Sequence, residues 1–360
     1  MKHYLKYITI FIAMLTLAGV QPAVAAEGGS ESEDVNVKEL ILDHLADSYE
    51  WHMATFGDFH LSIPLPIIVK GETSGWHVFM STQFHHGHEA YNGFYIAQQG
   101  DYKGKIVEKN SAGEEVRPLD ISLTKNATAL VISSILLVFI VMSVAGWYKK
   151  QAATGERKAP KGFVGFMEMF IMSVQDDIIK PCVGKNYRKF SPYLLTAFFF
   201  IFLNNIMGLI PIFPGGANVT GNIAVTLVLA LTTFLVVNFT GTREYWKEIF
   251  NPYVPSWLKP LMIPIEIIGM FTKPFALMIR LFANILAGHS IVLGLTCLIF
   301  VTASLGAVIN SSMTVVSVLL TIFISFVEIL VAYIQAYVFT MLSAVFIGLA
   351  QAEPHHAEKH

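Results

Sequence analysis

Two long apolar stretches, residues 261–302 and 312–352, occupy the C-terminal part of this chain. Each holds roughly 40 residues and, as a helix rising 1.5 Å per residue, would run about 60 Å. A bilayer's hydrocarbon core is only about 30 Å thick. Runs of this length and hydrophobicity predict membrane helices. Two geometries fit the excess length. Either each helix tilts by roughly 60°, beyond the usual 0–40°, or each stretch is two shorter helices. Pro274 can break the first stretch by removing one backbone hydrogen bond. The second has no proline, and its only glycine, Gly348, sits near its end. With so few breakers, two long and strongly tilted helices are expected.

The rest of the chain agrees with a membrane protein. Only 14% of residues are charged, against about 25% in soluble domains. A net charge of -2 suggests neither a nucleic-acid partner nor a broadly basic membrane-binding surface. The two cysteines, Cys182 and Cys297, lie outside the first 120 residues, so no disulfide framework is available there. Residues 1–26 read as a secretory signal peptide. Lys2 and Lys6 precede a short apolar run, and Ala23-Val24-Ala25 offers a small-residue cleavage site. Further spans are predicted at 127–148, 192–212 and 218–239.

Lys149, Lys150, Arg157, Lys158, Lys161, Lys180, Lys185, Arg188 and Lys189 follow the first span and mark its cytoplasmic side. Between them, residues 162–180 read as a helix lying on the inner membrane surface. The turn with Pro211, Pro214, Gly215 and Gly216 carries no Lys or Arg, as expected outside. The run Asn310-Ser311-Ser312 reads as part of a second outer turn. Residues 27–125 begin acidic, then suggest a helix near 37–49 and strands at 94–96 and 105–107.

The expected fold is therefore an all-α integral membrane protein of about five membrane helices, the last two long and strongly tilted, plus a small exported α+β segment. The division is signal peptide 1–26, exported segment 27–125, membrane channel domain 126–352 and cytoplasmic tail 353–360. A bacterial inner membrane is the expected location, with the N-terminus outside and the C-terminus cytoplasmic.

The chemistry concentrates in the last two stretches. Glu266, Lys273 and Arg280 are seven apart and share one helix face, with Asn284 one turn beyond. Gly269, Ala276, Ala283 and Ala287 interleave with them, a polar and small stripe suited to close contact with another helix. A charge at mid-membrane costs a few kcal/mol, so Arg280 is a functional candidate. Arginine keeps its proton at ordinary pH and cannot relay protons. It can favour ionisation of a nearby carboxylate, or it can be a structural ion pair with Glu266 or Glu328. On the last stretch Thr321, Glu328 and Gln335 are again spaced by seven. Glu328 and His289 are titratable groups in apolar surroundings, able to pass protons. Nine residues make two and a half turns, so His289 should face away from Arg280, on an aqueous approach and opposite Glu328.

The run Arg280-Leu281-Phe282-Ala283-Asn284-Ile285-Leu286-Ala287-Gly288-His289 resembles the signature of the F-type ATP synthase subunit a family. Residues Phe202 to Pro211 resemble the segment leading into that family's outer hairpin, and Ile334-Gln335-Ala336-Tyr337-Val338-Phe339 its C-terminal motif. The resemblance covers about 123–351. It implies that Arg280 is the stator arginine facing rotor-ring carboxylates. It implies polar half-channel roles for Asn284, His289, Glu328 and Gln335, and places Glu266 nearer the cytoplasmic exit. Some bacterial members carry the His289 and Glu328 residue types exchanged. The implied partners are the rotor c-ring, the subunit b stalk, the rest of the F1Fo complex and membrane lipid. No bond chemistry and no cofactor are implied for this chain.

Three rivals remain. A secondary transporter should show inverted repeats, and no internal similarity is visible. A metal protein would draw on His85, His86 and His88, with His77 nearby, but no cysteine helps and the region reads as loop. A purely structural anchor leaves Arg280 without a task.

Overall fold

The computed structural model describes residues 46–56, 59–71, 75–87, 89–110, 113–155, 159–210 and 213–351. The predicted signal peptide, the predicted tail and most of the predicted 37–49 helix lie outside the described residues. The described end of that predicted helix is not helical, and Glu50 already opens a strand.

One compact unit comprises, among the described residues, 48–124 together with Ile210–Gly216. Strands β1 (Glu50–Phe56) and β2 (Phe59–Pro64) pair antiparallel. β3 (Pro66–Gly71) lies between β4 (Gly75–Met80) and β8 (Leu119–Asp120). β5 (Phe94–Ile96), β6 (Ile106–Lys109) and β7 (Glu115–Val116) form a third antiparallel sheet. The strand expected at 105–107 is thus β6, starting one residue later. Alternation along β3 buries Ile67 and Val69, as a half-buried strand requires. They join Tyr49, Phe84, Phe94 and Ile106 in a small core. Trp51 packs edge-on against Phe213, ring centroids 5.1 Å apart.

The second unit is helical and holds five candidate membrane spans. Helix α1 is Lys125–Thr154. Helix α2 (Phe163–Ser173) runs through a π-helical turn, Val174–Ile179, into α3 (Lys180–Val183) and then, past Gly184–Asn186, into α4 (Tyr187–Leu209). α5 is Ile223–Thr240 and α6 is Arg243–Phe250. α7 (Lys259–Thr302) and α8 (Ala307–Ala350) are each 44 residues long. Both are unbroken. Pro264 and Pro274 stay inside α7. At about 66 Å, each must tilt steeply to lie within a bilayer.

One expectation is refined and one is corrected. The 162–180 segment, expected as a helix on the inner membrane surface, is helical and also makes inward contacts. It folds back against α4, with Phe170 stacked on Phe202 at 5.7 Å and edge-on to Tyr333 of α8 at 6.0 Å. Val174, Ile178 and Ile179 are fully buried. The inward side of the segment thus meets aromatic neighbours, while Phe163, Phe166, Met169 and Met172 of α2 stay exposed, as a bilayer-facing side would. Residues Asn310-Ser311-Ser312 are not a connecting turn but lie within the first two turns of α8. The Ser311 and Ser312 hydroxyls donate back to the Ala307 and Val308 carbonyls at 2.7 and 3.0 Å. The reversal is made by Ala303–Leu305 and Gly306, whose φ of +102° suits glycine.

The helical core joins Leu194, Phe198 and Ile201 of α4 to Leu277, Met278 and Leu281 of α7 and to Ala336, Phe339, Ala344 and Ile347 of α8. Thr233 of α5 links Tyr193 and Ser343 through hydroxyl bonds of 2.8 and 3.3 Å. The end of α8 is tied to two turns. The Thr242 N–H donates to the Ala350 carbonyl at 2.9 Å, and Asn186 Nδ2 donates to Gln351 Oε1 at 3.3 Å.

Candidate functional site

Arg280 stands at the middle of α7, 21 residues after Lys259 and 22 before Thr302 (280 − 259 and 302 − 280). It lies on an exposed face that none of the described residues covers, with Ala276, Ala283, Asn284 and Ala287. Ile268, Phe275, Ile279 and Ile291 rim that face and are uncovered too. The opposite face, with Leu277, Leu281 and Ile285, is buried. Among the described residues Arg280 has no hydrogen-bond or ion-pair partner. The reading of Arg280 as an ion pair with Glu266 or Glu328 therefore finds no support.

α7 and α8 form an antiparallel hairpin whose register is set by cross-contacts. Thr302 Oγ1 donates to Asn310 Oδ1 at 3.1 Å, His289 Nδ1 lies 3.6 Å from Glu328 Oε1, and Lys273 Nζ sits 5.8 Å over the Phe346 ring. Glu328 is also mid-helix, 21 residues after Ala307 and 22 before Ala350 (328 − 307 and 350 − 328). The register brings Gln335 level with the turn from Arg280 to Asn284.

A cavity of about 280 Å³ opens along this seam. Its polar lining is Asn205, Asn284, His289, Glu328 and Gln335, set among Ile285, Ile324, Val331 and Ile334. It has room for roughly nine waters at about 30 Å³ each. Four of the six residues expected at the site therefore line one cavity. The helical phase of His289 is as expected, since it faces Glu328 and not Arg280's uncovered side.

Two glycines border the seam, and only Gly288 is tight against it. A Cβ on Gly288 would sit 2.6 Å from Glu328 Oε1, and one on Gly208 would sit 3.7 Å from His289 Nε2. The histidine thus reaches from α8 on one nitrogen toward α4 on the other.

Asn205, inside the Phe202–Pro211 run, is a cavity residue that the sequence reading does not single out. Its Nδ2 donates to the Ala332 carbonyl at 3.2 Å, and its Oδ1 accepts from Thr220 Oγ1 at 2.6 Å. The signal was present in the pair Asn204-Asn205 within an apolar span, because amides there need partners.

Glu266 lies elsewhere, 14 residues before Arg280 or about 21 Å along the helix. Its carboxylate helps to raise the Tyr245 phenol above its ordinary pKa, second to burial. Tyr245 in turn donates to Asn238 Oδ1 at 3.3 Å. Among the described residues the histidines of the strand-rich unit form no comparable site. His85 Nδ1 lies 3.0 Å from Glu89 Oε2, both exposed. The His86 side chain and His88 lie outside the described residues. Among the described residues no three His, Cys, Asp or Glu side chains converge for a metal.

The profile of the ATP synthase A chain family matches residues 129–348, more than half of the chain. The chain belongs to that family. Relatives agree with this. An ATP synthase subunit a 2 from Chlorobaculum tepidum is 44% identical over 68% of this chain and 67% of its own length. An ATP synthase subunit a from Chloroherpeton thalassium is 41% identical over 68% of this chain and 71% of its own. One from an Anaeromyxobacter species is 33% identical over 93% of this chain and 76% of its own. Residues 40–127 match a second family, described as a domain of unknown function. As an ATP synthase A chain family member, the protein is a non-catalytic, multi-pass membrane subunit of the Fo sector and part of the F1Fo complex.

Proposed function

We propose that this ATP synthase A chain family member is the proton-translocating stator channel of the rotary enzyme, working through two half-channels. The observation that carries the reading is the position of Arg280. It is a permanent cation at mid-helix, on an uncovered face, without a partner among the described residues. It lies between the cavity of Asn284, His289, Glu328 and Gln335 and the separate Glu266 end.

A rotor-ring carboxylate passing this face would take a proton from the cavity side and become neutral. Neutrality lets it turn through lipid, where the ion is costly. On return it meets Arg280, whose charge favours the ionised form, and its proton leaves past Glu266. The drive is the transmembrane potential, about 2.3 kcal/mol per charge per 100 mV, with the pH gradient. Arg280 also bars a direct proton path, since it holds its own proton. The rotor c-ring would cover the Arg280 face, and the subunit b stalk would hold the chain still.

The tie between the α8 end and the turns beside Lys185, Arg188, Arg243 and Lys247 gathers basic residues at one end of the helices. That supports a cytoplasmic side there. Residues 27–125, after signal-peptide removal at 1–26, would then lie outside a bacterial inner membrane, with 126–352 as the channel domain and 353–360 as a cytoplasmic tail.

Inverted membrane vesicles test the reading. Arg280→Ala should abolish proton-driven ATP synthesis while the complex still assembles and the soluble sector still hydrolyses ATP. Coupled synthesis at the unsubstituted rate would overturn it.

A further inference from the structure

A second cavity, of about 340 Å³, lies where α2 and α3 fold back onto α4, and the rotary cycle does not use it. Gln175, Tyr187, Arg188, Ser191, Pro192 and Leu195 line it. Its volume is at the lower end of the range for small-molecule pockets, about 300–1,000 Å³. One wall is the π-helical turn Val174–Ile179. Such turns are rare and recur at functional sites. The other wall is the first two turns of α4.

The lining combines donors with an apolar floor. Arg188 Nε donates to Tyr187 Oη at 3.2 Å, and the guanidinium lies 5.9 Å from the centre of that ring. The bond to the phenol oxygen orients the guanidinium, and among the described residues Arg188 meets no carboxylate. Ser191 Oγ, buried, donates to Gln175 Oε1 at 3.3 Å, which leaves the Gln175 amide nitrogen without a partner among the described residues. Lys180 caps Tyr187 from 5.6 Å and is paired with Asp176, while Asp177 accepts from Ser173 Oγ at 3.0 Å. Between 174 and 191, Lys180, Lys185, Arg188 and Lys189 face Asp176 and Asp177, so 4 − 2 leaves a net charge of +2. Beyond Pro192 and Leu195 the same side of the helix continues to the half-buried Phe199.

We propose that this cavity binds the phosphodiester of an anionic phospholipid, with the acyl chains running along α4. A planar guanidinium fork matches two phosphate oxygens. Basic pockets between membrane helices are suited to such headgroups. A soluble phosphate would meet the same donors but would leave the apolar floor of Pro192 and Leu195 unfilled. The lipid's glycerol and first methylenes fill it.

Native mass spectrometry of the intact complex in mild detergent tests the assignment, with phosphatidylglycerol as the probe and phosphatidylcholine as the neutral control. The expected result is one phosphatidylglycerol retained per chain. Arg188→Gln should weaken its retention roughly tenfold, the scale of one lost charge-assisted bond. Arg188→Lys keeps the charge and guards against a folding artefact. It should lose part of the retention, because an ammonium cannot form the fork. Equal retention by the parent, Arg188→Gln and Arg188→Lys chains would overturn the proposal. So would equal retention of phosphatidylcholine, or displacement by inorganic phosphate in millimolar excess, which would mark a soluble-anion site.

Discussion

His289 Nδ1 lies 3.6 Å from Glu328 Oε1 across the α7–α8 seam, with the two side chains 19% and 13% exposed. That distance is just beyond a hydrogen bond. Glu328 Oε1 is buried and has no hydrogen-bond donor among the described residues. A buried carboxylate oxygen without a donor costs free energy unless a charge or water meets it. The imidazole is the group in place to do so. A shift of a few tenths of an ångström would make the bond and let one proton pass between them.

The two residues should therefore act as a unit. His289→Ala and Glu328→Gln are each expected to slow proton flux by at least about tenfold, the effect of roughly 1.4 kcal/mol on the barrier. The double variant should be little slower than either single one. Residues in contact typically show coupling of about 0.5–3 kcal/mol. Passive proton conduction through membranes stripped of the soluble sector measures it. Multiplicative losses would mean that the two side chains lie on separate steps.

Gly288 gives a second handle on the same pair. An added Cβ would stand 2.6 Å from Glu328 Oε1, so Gly288→Ala should push the carboxylate off the imidazole. The complex should assemble normally, because only the end of a side chain must move. Flux should fall toward that of Glu328→Gln. Gly294, whose added Cβ meets nothing within 4 Å, provides the control, and Gly294→Ala should leave flux unchanged.

Much of this site was legible because charge in an apolar run is conspicuous. Arg280, Glu328 and His289 stood out by type, and helical phase set His289 away from the Arg280 face. The length of α7 and α8 was legible too, because there are few breakers. What escaped were features whose local signal has two solutions. Phe170, Val174 and Ile178 turn to inward neighbours while Phe163 and Phe166 stay exposed, so one apolar stretch serves both a surface and a helix neighbour. Asn310, Ser311 and Ser312 look like a turn until their side chains bond within α8. Asn205 needed Thr220 and Ala332, fifteen and more than a hundred residues away, to reveal its place.

Gly348 predicts a packing limit away from the chemistry. α8 approaches the Cys182 carbonyl so closely that an added Cβ would overlap its oxygen. Backbone cannot swing aside as a side chain can. Gly348→Ala should therefore cost about 1–3 kcal/mol, the range for overpacking a tight core. Thermal denaturation of the detergent-solubilised complex should show an earlier transition, with the α8 end and the Gly184–Asn186 turn more open to protease. An unchanged transition would mean that the two backbones have room to part.

The strand-rich unit carries a pH signature of its own. Tyr49 is buried, 4% exposed, and its hydroxyl donates to Asp120 Oδ2. Burial first, then the bond to Asp120 and that residue's charge, raise the phenol's pKa in the folded state. The unfolded phenol titrates at about 10. Folding therefore favours the protonated form. The Tyr49 contribution is complete below pH ~10 and is lost as pH rises through and beyond that value. Tyr49→Phe removes both the titration and the donor to Asp120, although Ser122 N–H still donates to Asp120 Oδ1 at 2.9 Å. At neutral pH the variant should be less stable by about 0.5–1.5 kcal/mol, the net worth of one hydrogen bond. Above pH ~10 its deficit should shrink, because only the parent chain must bury or release a phenolate. Pulse proteolysis of residues 48–124 within the full chain, across about pH 8 to 11, reads both curves. A deficit that stays constant with pH would show that Tyr49 ionises as freely in the folded chain as in the unfolded one.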